Sequence, residues 1–199
     1  MKRFFALIVL LAGLMSLAAC EKHKEDEFEA FVNENYCSIS LYDNTAYFIS
    51  LAADGSVNGQ SFDKRVEETA AEYEGGTIYG NVFSFNLSNL KKRDDYSYTA
   101  SMGEITYVYD PNTEEIENVT KEDGSGMKIR DVFTAPLSAS QNGQLIFFIP
   151  TTPFNMLPKE VADYLKALSF SPTSDDSPID TDILYFEGDG KVFITLPQQ

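Results

Sequence analysis

Short runs in which apolar and polar residues alternate recur between residues 36 and 196, and they constrain the fold more than any other feature. A period of two places apolar side chains on one face of a β-strand and polar side chains on the other. Because these runs do not alternate regularly with helical segments, they favour antiparallel pairing. Strands are predicted at 36–41, 46–51, 78–87, 96–101, 105–109, 127–135, 145–149, 183–186 and 192–196.

Helical spacing of apolar residues is confined to three short segments. The first is a short helix or turn at 28–32, and the second follows Asp63, with Val66, Ala70 and Tyr73 on one face. The third begins after Pro158, which suits a first helical turn. Its apolar face comprises Val161, Tyr164, Leu165 and Leu168.

These segments together predict a mainly β (β-rich α+β) fold. We expect an antiparallel sandwich or barrel of about eight or nine short strands with two or three short helices. Asn142-Gly143 is typical of a two-residue hairpin turn and predicts pairing of the strands on either side. The polar stretch 113–126 is either a mobile loop or an edge hairpin built on Ile116 and Val119. With no internal repeat or linker, 36–199 is expected to form a single domain.

The first residues are typical of an export signal. Lys2 and Arg3 precede an apolar run from 4 to 14, and small residues follow. Even when extended to Ala19, the apolar run comprises 16 residues. A helix needs about 20 residues to cross a bilayer, so a permanent transmembrane helix is disfavoured.

The end of this signal resembles the lipobox of bacterial lipoproteins. Leu17-Ala18-Ala19-Cys20 has Leu three residues before Cys, with two small residues between them. The resemblance implies that 1–19 is a signal peptide and that Cys20 carries acyl chains such as palmitate. Two or three chains make a stable anchor, and the membrane is then a partner through lipid. The alternative is a secreted protein cleaved at an Ala-x-Ala-like site.

Residues 20–35 are expected to form the lipidated cysteine and a charged tether. Lys24-Glu25-Asp26-Glu27 resembles the acidic export signal of Bacteroidetes-type lipoproteins, although here two lysines precede the acidic residues. The resemblance implies a lipid-anchored outer-membrane protein displayed on the cell surface. If the acidic run is a spacer instead, the domain faces the periplasm.

The charge balance argues against anionic partners. The chain has 15 basic and 31 acidic residues and a formal net charge of −16. Such a charge argues against nucleic acid and against direct adsorption to an anionic membrane surface. Cationic partners and divalent ions remain compatible with it.

The residue types present exclude several chemistries. The single histidine is His23, in the tether, so Ser-His-Asp and Cys-His catalysis within one folded domain are ruled out. A histidine-rich zinc site is ruled out too. Once Cys20 is consumed by lipid, Cys37 has no disulfide partner and is predicted to be a small buried apolar residue.

Two sets of residues are candidates for binding. Four aspartates in one loop could supply oxygen ligands to Ca²⁺, although an acidic solvated loop is the simpler interpretation; no other cofactor is predicted. Tyrosines two apart on a strand share a side and could stack on a ligand, although they could also fill the core. The aspartates are Asp175, Asp176, Asp180 and Asp182, and the tyrosines are Tyr96, Tyr98, Tyr107 and Tyr109.

Three functional hypotheses remain. The first is a non-enzymatic envelope binding or accessory protein, whose ligand is a glycan or a small apolar molecule. The second is an envelope hydrolase based on two carboxylates, a chemistry that needs no histidine. The third is a structural or assembly subunit that docks an exposed edge strand on another envelope protein.

Overall fold

The structure, a computed structural model, describes residues 27–40, 45–137, 144–170 and 172–195. The strands are β1 (Asn33–Ile39), β2 (Ala46–Leu51), β3 (Ser56–Arg65), β4 (Thr77–Lys92), β5 (Ser97–Met102), β6 (Thr106–Tyr107), β7 (Glu114–Thr120), β8 (Gly126–Phe133), β9 (Gln144–Phe148), β10 (Ile183–Phe186) and β11 (Lys191–Thr195). One helix, α1 (Lys159–Ala167), and two 3-10 turns, Glu29–Phe31 and Phe154–Met156, complete the described elements.

Eight of these strands close into an antiparallel barrel, which confirms the predicted mainly β fold. Their order is β3-β2-β1-β11-β10-β9-β5-β4. Pairing of β3 with β4, from Ser56 opposite Asn86 to Arg65 opposite Thr77, closes the ring. Closure leaves the eight strands without a free edge, and it decides between the two predicted architectures in favour of the barrel.

A hairpin extends the sheet outside the barrel. β7 pairs with β8, and β8 runs parallel to the start of β4, with Thr77 opposite Arg130 and Gly80 opposite Phe133. The short strand β6 pairs with the middle of β4. β7 contains Ile116 and Val119. Of the two predictions for 113–126, the edge hairpin is therefore confirmed over the mobile loop.

The core has two layers. Aromatic rings such as Phe83, Phe85, Phe147 and Phe193 fill the barrel interior. A second cluster lies between the outer face of β9–β11 and α1, where Val161 and Leu165 pack. Burial of the apolar faces of strands and helix is the main stabilising contribution of both layers.

Gly59 on β3 makes room for one of these rings. A Cβ atom at this position would lie 2.5 Å from the ring of Phe83 and 2.8 Å from Ile49. A glycine at this inward-facing position therefore lets Phe83 lie across β3 and fill the barrel.

Two predictions about elements were wrong. The helix predicted after Asp63 does not form: β3 continues to Arg65, and 66–76 is a turn region. The hairpin predicted around Asn142-Gly143 is also absent, because β8 pairs with β4 and β7, whereas β9 pairs with β5 and β10. Asn142-Gly143 itself lies outside the described residues. The predicted helix after Pro158 is confirmed as α1, and the first segment is a 3-10 turn.

Candidate functional site

The two ends of the barrel differ in how they are filled. We call the end at which β1 begins the lower end. There Phe28 and Phe31 are buried, and their ring centroids lie 6.2 and 4.6 Å from that of Phe147. The hydroxyl of Tyr36 donates a hydrogen bond to the carbonyl of Phe31. Phe31 of the first 3-10 turn and Phe28, just before it, thus close this end.

The opposite, upper end lies where β3 ends and β4 begins, and its interior is polar. A cavity of about 280 Å³ occupies it. Register places Ser61 opposite Asn81 and Asp63 opposite Tyr79, so that polar side chains of β3 and β4 meet there. The residues lining this upper cavity include Tyr47, Ser61, Asp63, Arg65, Tyr79 and Thr134.

Arg65 is the centre of a polar cluster in the cavity wall. Its Nε donates to Oδ2 of Asp63 at 2.8 Å, and one of its terminal nitrogens donates to Oε1 of Glu68 at 3.1 Å. Its Cζ lies 4.7 Å from the ring centroid of Tyr79, whose hydroxyl donates to Oε2 of Glu68 at 2.6 Å. The hydrogen bonds from Tyr79 and Arg65 lower the pKa of Glu68. The cluster therefore holds Glu68 as a carboxylate.

Asp63 is the least satisfied member of this cluster. Its side chain is 4% exposed, and its Oδ1 atom is buried with no hydrogen-bond partner among the residues the structure describes. A buried polar atom without a partner costs about 1–3 kcal/mol, and more when the group is charged. The wall of the upper cavity thus contains a carboxylate oxygen that lacks a donor.

Polar contacts hold two further tyrosine rings, Tyr47 at the upper cavity and Tyr107 on β6. The Nζ of Lys191 lies 4.8 Å from the ring centroid of Tyr47. The hydroxyl of Tyr107 donates to the carbonyl of Leu137 at 2.6 Å, and burial raises the pKa of Tyr107. Both rings are therefore held by contacts within the described part of the chain.

A second, smaller cavity of about 130 Å³ lies outside the barrel, beside the β7–β8 hairpin. Tyr109 and Phe133 stack in its wall with ring centroids 4.2 Å apart. Burial, followed by the charges of Glu117 and Glu115, raises the pKa of Asp131 to about 6. This cavity combines an apolar wall with an acidic margin.

The structure separates the four tyrosines proposed for ligand stacking. Tyr98 packs on the core, with its ring centroid 5.1 Å from that of Phe31, and Tyr107 packs near Phe83. Tyr96 is half-buried just before β5, whereas Tyr109 lines the outer cavity. Tyr98 and Tyr107 therefore help to fill the core, which was the alternative role considered for these tyrosines. Ligand stacking by the four residues stays a prediction.

The aspartates proposed as calcium ligands lie in the loop before β10. Asp175, Asp176 and Asp180 are exposed, and Asp182 is half-buried, which raises its pKa. Asn155 donates a hydrogen bond to Asp176 at 2.6 Å. Within the described ranges, no group of three or more His, Cys, Asp or Glu side chains is arranged to hold a metal ion. Calcium binding stays a prediction.

The remaining predicted residues divide into two groups. Cys37 is 4% exposed, as predicted, and it is a free cysteine in the described part of the chain, where burial raises the pKa of its thiol. Leu17, Ala18, Ala19 and Cys20 lie outside the described residues. Lipidation therefore rests on the sequence.

Sequence reasoning missed the cluster around Asp63. Asp63 was interpreted as the start of a helix, although Val57, Gly59, Ser61 and Asp63 follow a period of two. Two of these positions are polar and one is glycine, so the usual apolar signal of a strand was weak. Alternation of small and polar residues was the available signal for β3, which ends at Arg65.

Comparison with known proteins gives no relative for this fold and site. No protein-family model, curated protein or solved structure matches the chain.

No helix among the described residues has the length and apolar character needed to span a membrane.

Proposed function

We propose that this protein is a non-enzymatic binding protein of the bacterial outer membrane, lipid-anchored at Cys20, whose barrel takes up a small ligand at its upper end. The observation that carries the proposal is the cavity of about 280 Å³ at one end of a barrel filled elsewhere with aromatic rings. Ligand pockets commonly measure about 300–1,000 Å³, so this cavity suits a ligand no larger than a single sugar ring or a small metabolite.

The composition of the wall supports binding. Tyr47 and Tyr79 offer ring surface, and Ser61, Asp63 and Thr134 offer hydrogen-bonding groups. In small-molecule sites, a few directed polar groups of this kind fix the orientation of the ligand. The pKa of Glu68 is lowered, so this carboxylate is a poor proton donor, and a hydrolase that needs a carboxylic acid finds weak support in this cluster.

A thermal-shift screen of the purified full chain tests the proposal. The compounds are monosaccharides, amino acids, amines and small apolar metabolites. A ligand at one hundred times its Kd stabilises the folded state by about 2.7 kcal/mol, which raises the melting temperature measurably.

Two variants locate the binding site. Thr134→Phe places a ring in the upper cavity and is expected to abolish the shift, whereas Thr120→Phe, on the exposed β7 strand, should retain it. A screen in which no compound raises the melting temperature, or in which the Thr134→Phe variant responds like the unmodified chain, rejects binding at the upper cavity.

A further inference from the structure

We infer that the ligand of the upper cavity carries a protonated amine and that the carboxylate of Asp63 binds it. This inference rests on the proposed binding function and adds the chemical class of the ligand. It follows from three features of the site: an unpartnered carboxylate oxygen, the balance of charge around it, and the rings beside it.

The first feature is the geometry of Asp63. Its Oδ2 accepts from Arg65 at 2.8 Å, while its Oδ1 is buried and accepts from no donor in the described ranges. The residue is 3% exposed, so bulk water does not solvate the side chain freely. An ionised carboxylate can accept about four hydrogen bonds, and a buried one is stable when those sites are filled. A donor that enters the cavity would supply the missing partner.

The second feature is charge, and it favours an ammonium group over a hydroxyl group. In the hydrogen-bonded cluster, Asp63 and Glu68 carry two negative charges against the single positive charge of Arg65. Lys191 lies over the ring of Tyr47 and forms no ion pair with Asp63. Either donor would form a charge-assisted hydrogen bond with the carboxylate, but only an ammonium group adds the Coulombic attraction of a full positive charge. The net charge of −16 also attracts cations to the protein.

The third feature is the wall beside Asp63. The rings of Tyr47 and Tyr79 line the cavity, but each already has a cation near one face, Lys191 for Tyr47 and Arg65 for Tyr79. These rings are therefore assigned to the uncharged body of the ligand rather than to its ammonium group. A compact amine with an apolar or aromatic body meets both requirements.

Three probes of nearly equal size test this inference on the full chain. Phenethylamine, 2-phenylethanol and phenylacetate place an ammonium, a hydroxyl and a carboxylate on the same aromatic body. Isothermal titration calorimetry at pH 7 is expected to show that phenethylamine binds about 10- to 100-fold more tightly than 2-phenylethanol, because its ammonium group adds a Coulombic attraction to Asp63 that the neutral hydroxyl lacks. Phenylacetate is expected to bind most weakly.

A matched pair of variants assigns the effect to Asp63. Asp63→Asn removes the charge and should reduce the affinity for phenethylamine to about that for 2-phenylethanol. Asp54→Asn makes the same change at an exposed position near the lower end, where the side chain accepts from the amide of Ser56, and it should leave both affinities unchanged. Because the three-probe comparison uses the unmodified chain, it decides the question even if the Asp63→Asn variant fails to fold.

The outcomes separate this inference from the proposed function. Equal or tighter binding of 2-phenylethanol or phenylacetate overturns the amine assignment and leaves the upper cavity as a ligand site. Undiminished phenethylamine binding by Asp63→Asn overturns it as well. If none of the probes binds, the amine assignment fails, and the broader screen with Thr134→Phe decides the proposed function independently.

Discussion

Two aspartates of this protein, Asp63 and Asp131, differ in the charges that surround them. Asp63 and Asp131 both lie on strands, but Asp63 is paired with Arg65, whereas Asp131 faces the negative charges of Glu117 and Glu115. Burial beside like charges disfavours the ionised form of Asp131. We therefore expect Asp131, in the outer cavity, to respond to pH.

Replacement of Asp131 by Asn should stabilise the protein at neutral pH. In the unfolded chain this carboxyl has the ordinary aspartate pKa of 3.8, but in the folded protein its pKa is about 6. The folded state therefore loses stability as the pH rises from about 4 through 6, and the loss persists above 6. Asp131→Asn avoids that loss. Its advantage over the unmodified chain should grow by roughly 1–3 kcal/mol between pH 4 and pH 7 in urea unfolding.

Glu122→Gln is the control for this experiment, since it neutralises an exposed carboxylate in the turn of the same hairpin. It should follow the unmodified chain at both pH values. An Asp131→Asn variant whose advantage is the same at pH 4 and pH 7 would contradict the proposed burial of charge.

Among the elements, the short 3-10 turn Glu29–Phe31 closes the lower end of the barrel. It inserts Phe31 into the barrel, and the preceding Phe28 donates its backbone N–H to Ala53 at 3.2 Å. Gly55, at φ +84°, brings its loop so near that a Cβ there would lie 2.8 Å from the Phe28 ring. These contacts fill the lower end of the barrel, whereas the cavity lies at the upper end.

Phe28→Ala tests this closure. Phe28 is 1% exposed, and truncation of a buried phenylalanine typically costs about 3–5 kcal/mol, so guanidinium unfolding should show a loss of that size. Val32→Ala, at a side chain that is 48% exposed just after the same turn, should change stability by less than about 0.5 kcal/mol. Equal effects of the two substitutions would mean that the turn is not part of the core.

The elements also show what the sequence could predict. Strands with apolar alternation, such as β2, and the amphipathic α1 were recognisable because local residue patterns determine them. β3 was not among the predicted strands, since its inward positions Gly59, Ser61 and Asp63 are small or polar. The β4–β8 pairing joins segments about 50 residues apart, so no local turn signal specifies it. For the same reason the upper cavity, which register creates, was not predictable.

At the scale of the whole molecule, the described chain begins at the lower end of the barrel, and the upper cavity lies at the opposite end. The described chain enters the barrel at the lower end through Phe28, eight positions after Cys20. Eight residues span at most about 30 Å when extended. A lipid on Cys20 would therefore hold the lower end near the membrane and direct the upper cavity away from it, where a ligand arriving from solution can enter.

This arrangement requires that Cys20 be acylated. Cys20→Ala should abolish incorporation of labelled palmitate into the protein in growing cells and should prevent cleavage after Ala19, which intact-mass measurement detects. Cys37→Ala, which removes a buried thiol, is the matched control and should retain both label and processing. Membrane fractionation alone does not decide the question, because an uncleaved signal with its apolar run at 4–14 can itself hold the chain at the membrane. Normal cleavage and no label in the unmodified chain would instead identify a secreted protein, and the orientation inferred for the upper cavity would lose its basis.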